Sequence, residues 1–365
     1  MSQTIVKFGD PIAQKRWSGT LAVAMQRKSY FERKFIGTDE NALIQRKTEL
    51  DSDAGDRVSF DLSVQLRGKP TRGDDRLKGN SENLRFYSDE VIVDQIRKSV
   101  SAGGRMSRKR TAHDLREVGR NRLAEYWSQY MDEIFFIYLS GARGINADFI
   151  EGTDWTGHGG NPIQAPDAGH ILYGGAATSK ATITTADVMN RGLIERATVA
   201  TKMMRALDPT QANMMPLTVD GEARYICLMS TFQEHDLRTS DTAGWLDIQK
   251  ALVTSDGRES PLCKGGLGMI NNTVLHSHES VIRFSDYGAG GNLAAARALF
   301  LGRQAGVVAY GTPRGMRFEW KEEVDDFGNE PVVASGTILG VKKTRFNGKD
   351  FGVIALDTAA KNPNG

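Results

Sequence analysis

The sequence predicts an α+β fold, and three observations carry that expectation. Apolar residues alternate strictly with polar ones over 57–67. A three- and four-residue apolar rhythm then runs over 108–140. From 222 onward strands and helices interleave without the even spacing of βαβ units, which argues against a doubly wound sheet.

Residues 1–36 carry basic doublets (Lys15-Arg16, Arg27-Lys28, Arg33-Lys34) and no sustained apolar face. Such a segment is either disordered or an arm that orders on a partner. In the run RVSFDLSVQLR (57–67), Val58, Phe60, Leu62, Val64 and Leu66 share one strand face. A second strand is predicted over 84–96, with Leu84 and Phe86 in step and a shift near Ser88–Glu90 that suggests a bulge. The glycine-rich, charged stretch 68–83 between them makes a solvated tip, so 57–97 reads as a long β-arm. A lone two-stranded ribbon is marginal in water. Five apolar side chains at roughly 1.5–3 kcal/mol each place about 8–15 kcal/mol on the arm's face. The arm must cover either its own domain or another surface.

A helix is predicted over 108–140, with Leu115, Val118, Leu123, Tyr126, Tyr130, Ile134 and Ile137 inward and Gly141 ending it. Residues 141–184, rich in Gly, Asn, Pro and Thr, read as loops. Thr185 caps a second predicted helix that runs to 207, before Asp208-Pro209. Further on, the pattern predicts a strand at 223–230, a short helix near Trp245–Leu252 and a strand-like stretch over 267–276. Leu293–Ala305 reads as strongly helical, and strands follow at 316–324, 332–345 and 350–358. Asn347-Gly348 makes a hairpin of the last two.

Several classes of chemistry are excluded or unsupported. The formal charge of the 365 residues is +2, so any nucleic-acid surface must be local. Two cysteines, Cys227 and Cys263, build no disulfide framework and read as buried thiols of a reducing compartment. The N-terminus shows no signal peptide and no apolar run is long enough to cross a membrane. Phosphate-loop and nucleophile-elbow motifs are missing. Gly288–Gly291 reads as a helix-capping turn rather than a dinucleotide site, and no cofactor is expected. His276 and His278 stand two apart on a strand without a third metal ligand, so surface histidines are the plainer reading. Glu319, Glu322, Glu323, Asp325 and Asp326 read as a solvated acidic strand end rather than acid–base machinery.

One local charge asymmetry remains. Residues 97–122 hold Arg97, Lys98, Arg105, Arg108, Lys109, Arg110, Arg116, Arg120 and Arg122 against Asp114 and Glu117, a net +7. Two readings stand side by side. The cations face phosphate backbones without sequence readout, or they meet acidic groups such as an acidic strand end on another subunit.

The order of elements resembles the Hong Kong 97-type fold of tailed-phage and herpesvirus major capsid proteins. More narrowly, it looks like the major capsid family typified by the N-four-type podoviruses. The likeness is carried by RYICLMSTFQEHDLR (224–238), GGLGMINNTVLHSHES (265–280), the run ALFLGRQAGVVAYG (298–311), taken as a helix, and the spine-like RLAEYWSQYMDEIFFIYLSG (122–141). The resemblance implies an N-terminal arm (1–36), an extended loop or E-loop (37–104), and a peripheral domain (105–184) with its spine helix at about 108–140. It further implies an axial domain (185–329) and C-terminal strands (330–365) returning to the peripheral domain.

Functionally, the resemblance implies a non-catalytic major capsid protein, assembling as hexamers and pentamers into an icosahedral shell around double-stranded DNA. The expected partners are other copies of the chain, a separate scaffolding protein, a portal protein and packaged DNA, with no membrane; whether a decoration protein binds is left open. The expected location is the virion capsid, assembled in the bacterial cytoplasm. Lys69 and Lys78 lie in the tip, where some relatives cross-link, but no catalytic partner can be assigned to them. Other function classes remain: a stand-alone DNA-binding protein using 97–122, and an α+β hydrolase using the histidine strand.

Overall fold

The structure is a computed structural model that describes residues 29–50, 55–63, 66–111, 114–208, 211–219, 221–240, 244–245, 247–250, 265–312 and 317–364. Two sheets and one long helix position everything else. Among the described residues the first sheet has six strands. Its centre is the long strand Glu330–Lys343, which pairs antiparallel with Glu319–Asp325, Gly306–Tyr310 and Asp94–Ser101. Ile44–Lys47 lies parallel to Gly306–Tyr310 and carries Ile36–Gly37 on its far side.

Among the described residues the second sheet has eight strands, with Glu222–Met229, Leu293–Leu301 and Val353–Ala359 adjacent at its middle. All three are nearly continuous apolar runs because both faces are covered. Leu293–Leu301 is therefore a strand and not the predicted helix, and the run 298–311 holds two strand segments. Ala and Leu favour helices in isolation, yet propensity is a weak prior. Here Ala295, Ala296 and Ala298 keep a closely flanked central strand thin. Gly288 and Gly291, both at positive φ, turn the chain between Arg283–Tyr287 and this strand rather than capping a helix.

The predicted helix over 108–140 is two helices, Arg105–Arg110 and Leu115–Ser140. Asp114 caps the second by accepting from the Arg116 N–H at 3.0 Å. From Trp127 onward the long helix is buried almost all round. Its core neighbours come from both sheets: Ile226, Leu228, Leu299 and Leu301 on one side, Val308, Tyr310, Leu339 and Val341 on the other. Gly141 ends it at φ 69°, where an added Cβ would stand 2.1 Å from the Gln164 carbonyl oxygen.

The helix expected from Thr185 begins six residues later, at Arg191, and runs to Leu207. Asn190 caps it by accepting from the Leu193 N–H at 2.9 Å, because Val188 is held by a bridge to Ala359. At the other end of the chain the turn expected at Asn347-Gly348 is present, with φ 53° and 71°, but it closes only the two-residue ribbon Arg345–Phe346 with Lys349–Asp350 and not a hairpin of 332–345 with 350–358. The segment 330–365 divides between the sheets: Glu330–Lys343 centres the first, and Val353–Ala359 sits inside the second. Of the helix predicted near Trp245–Leu252, residues 246, 251 and 252 lie outside the described residues, as do Cys263 and most of the predicted arm, residues 1–28.

Candidate assembly surfaces

The arm is an antiparallel ribbon, Arg57–Ser63 against Phe86–Ile92, in one unbroken register. No bulge occurs at Ser88–Glu90. The apolar pattern breaks there because Asp89 stands opposite Phe60 on the inward face and ion-pairs with Lys342. After Ile92 the chain leaves the ribbon, and Asp94–Ser101 joins the first sheet.

Only part of the expected apolar face is free. Val58 is 5% exposed and packs with Leu50, Val91, Val93, Val307 and Ala309 of its own body. Phe60 meets the Phe346 ring edge-on at 6.0 Å, and Leu62, opposite Tyr87, is half-buried. Leu66, Leu84 and Phe86 stay 54%, 65% and 60% exposed. Phe86 pairs with Ser63, so it lies on the face opposite Leu62 and not in line with it. The ribbon's base packs on its own chain, and its distal part offers apolar groups on both faces. Val64 lies outside the described residues.

The basic segment also divides. Arg116 reaches Glu322 of the acidic strand at 2.5 Å, within the same chain. Arg120 and Arg122 pair along the helix with Glu117 at 3.6 Å and Glu125 at 2.5 Å. Arg108 donates to the Asn329 carbonyl at 2.9 Å. Arg105, Lys109 and Arg110 are exposed, and among the described residues none has an acidic partner within 4.0 Å. Beside them lies a group whose role the sequence did not reveal, the turn Asp326–Asn329 with Phe327 fully exposed.

The two histidines serve packing. His276 is buried, with Phe35 edge-on at 5.7 Å, and His278 sits between the Tyr30 and Phe136 rings at 4.7 and 5.0 Å. Burial, aided by the nearby Lys34 charge, pulls the His278 imidazole down to about 4. Burial also pushes the Cys227 thiol up to about 12. Among the described residues no group of three or more His, Cys, Asp or Glu is placed to hold a metal ion. No described helix is long and apolar enough to cross a membrane.

Two buried carboxylates inside the apolar half of the long helix also went unread. Glu133 accepts from the Ile150 and Glu151 N–H groups at 2.7 and 2.8 Å, fixing the loop beyond the helix. Asp132 accepts from the Tyr30 and Phe31 N–H groups and the Ser29 hydroxyl at 2.8, 3.1 and 2.8 Å, fixing the start of the described chain. Burial lifts Asp132 to about 6, against the three hydrogen bonds that favour its charge. A raised folded value means the folded state holds a proton that the unfolded chain has released. Asp132's contribution to stability is thus complete below the unfolded value of about 3.8 and is lost as pH rises through about 6. Asp132→Asn removes that slope. Denaturant unfolding of the dissociated subunit at pH 4.5 and 7.5 should show wild type gaining about 2 kcal/mol over the variant at the lower pH. Parallel slopes would refute the assignment.

Residues 5–362 match the family model described as phage capsid protein. The chain belongs to the phage capsid protein family. It is 28% identical over 92% of each chain to the major capsid protein of Pseudomonas phage KPP25. Its structure superposes on the capsid of Ralstonia phage GP4 at TM-score 0.89, with 66% identity over the whole of both chains. The Cyanophage Pam1 capsid shares the fold at TM-score 0.71, with 22% identity over 92% and 93% of the two chains. The fold is the mixed helix-and-sheet capsid fold expected from the Hong Kong 97 resemblance, and the chain is a structural, shell-forming subunit. The finer likeness to the N-four type rests on the sequence runs alone.

Proposed function

We propose that this major capsid protein assembles as hexamers and pentamers into an icosahedral shell enclosing double-stranded DNA, and that the distal arm clamps a neighbouring subunit. The observation that carries the clamp is the exposure of Leu66, Leu84 and Phe86 at the end of a ribbon whose base is already packed. Apolar groups held away from their own core gain only when another surface covers them. In this reading the E-loop expected over 37–104 narrows to the ribbon 57–92, because Ile44–Lys47 and Asp94–Ser101 belong to the first sheet, that of the peripheral domain, and the second sheet is the axial domain's. A separate scaffolding protein and a portal act on the shell built in the host cytoplasm. The subunit has no catalytic role.

Purified, overexpressed protein viewed by negative-stain microscopy tests the reading. Rings or closed shells are expected, and a monomer at every concentration and salt would overturn it. The stand-alone DNA-binding alternative predicts tight monomer binding with a log–log salt slope steeper than about −4. Arg116, Arg120 and Arg122 already pair with Glu322, Glu117 and Glu125 of their own chain, which lowers the charge open to a duplex and favours the shell reading.

A further inference from the structure

The turn after the strand Glu319–Asp325 combines a rigid frame with a side chain that touches nothing. Asp326 and Phe327 both lie at positive φ, 49° and 52°, a conformation non-glycine residues adopt only under constraint. The constraint is visible. Asp325 caps the Asp326 N–H at 2.8 Å, and the Asn329 amide donates to the Asp326 carboxylate at 2.9 Å. Asn329 then accepts from the Arg105 N–H at 3.0 Å through its side chain and from Arg108 at 2.9 Å through its carbonyl. Everything polar in this turn holds it in shape, and the result is an aromatic ring fully in solvent. Val324 is exposed beside it, among Glu323, Asp325 and Asp326.

On the other side of Asn329 lies a surface of opposite character. Met106 is 60% exposed, flanked by Arg105, Lys109 and Arg110, which have no acidic partner within 4.0 Å among the described residues. The acidic strand's Glu322 is already taken by Arg116, so the short-range pairing inside one chain is used. Every copy thus presents an acidic, aromatic knuckle and a basic, apolar seat, joined back to back through one asparagine.

We propose that the knuckle around Phe327 docks on the 105–110 helix of a second copy of this chain, a head-to-tail contact that rests on the shell reading above. Phe327 covers Met106, and Glu323, Asp325 and Asp326 meet Lys109, Arg110 and Arg105. A heterologous contact of this kind repeats from copy to copy and closes a ring when its rotation allows. It also assigns the free cations to protein, not to nucleic acid.

Charge reversal with rescue tests the contact in the full chain. Lys109→Glu/Arg110→Glu reverses the seat. Glu323→Lys/Asp325→Ser alters the knuckle while serine keeps a cap for the Asp326 N–H, and Phe327→Ser removes the ring. Each should lower the yield of shells or rings roughly tenfold at low salt, with unchanged circular-dichroism melting. Combining the seat and knuckle reversals should restore most of the yield. Variants that assemble like wild type, or a combination showing the product of both defects, would overturn the contact. So would duplex DNA binding by dissociated subunits that Lys109→Glu/Arg110→Glu abolishes while assembly is unaffected. Wild-type protein that forms no oligomer would remove the shell reading itself.

Discussion

A subunit carrying Leu84→Asp and Phe86→Asp folds, melts within a few degrees of wild type, and builds no shells. Both side chains are more than half exposed and lie past the packed base of the ribbon, so the isolated subunit loses little. In the assembly each buried apolar group is worth about 1.5–3 kcal/mol, and a carboxylate in its place adds a desolvation cost. Repeated around a capsomer and across the shell, that loss per contact is multiplied by the number of copies. Light scattering and microscopy of the variant at shell-forming concentrations give the check, and normal particles would refute the clamp. Phe60→Asp, the substitution the alternating pattern alone would select, tests something else. Phe60 rests on Phe346 and the small core beneath the ribbon, so its loss lowers the stability of the subunit itself.

The contrast between Phe60 and Phe86 locates what the sequence could and could not tell. Alternation identified the strands, since period two is written in the residues. It could not say where along the face the chain's own body stops and solvent begins, because that depends on residues distant in sequence, such as Val307 beneath Val58 and Phe346 beside Phe60. Asp89 is the sharper case. A single inward carboxylate reads as a register shift, and only the position of Lys342 reveals it as an ion pair. Leu293–Leu301 failed for a related reason: its alanines are helix formers in isolation and thin packing units between two neighbouring strands. The Asn347-Gly348 turn was legible because its conformation is set by those two residues alone, whereas the pairing of the strands on either side of it was not, since they join different sheets. The clamped turn at Phe327 was visible only as acidic residues near a glycine, since Asn329's bonds to Arg105 and Arg108 span more than 220 residues.

Asp357→Ala is expected to cost about 3–5 kcal/mol of subunit stability, the largest effect of any single substitution considered. Asp357 is fully buried on the second sheet, directly across from Arg297, which holds it with two hydrogen bonds of 2.7 Å. Tyr287 donates to the same carboxylate at 2.6 Å, and Arg297 also donates to the Ser140 carbonyl at 2.9 Å. The guanidinium therefore ties the sheet to the last turn of the long helix, and it closes a helix end that would otherwise leave a carbonyl unmet. Removing the carboxylate leaves a buried cation facing the sheet with nothing to balance it. Replacing both partners, Arg297→Met with Asp357→Leu, should recover much of the loss, because a buried ion pair contributes little over well-packed apolar groups. What the double variant does not recover is the link to Ser140. Urea unfolding of the two single variants and the double variant, compared as a thermodynamic cycle, separates these contributions. A double variant as unstable as Asp357→Ala would mean that the network acts through the helix end rather than through charge balance.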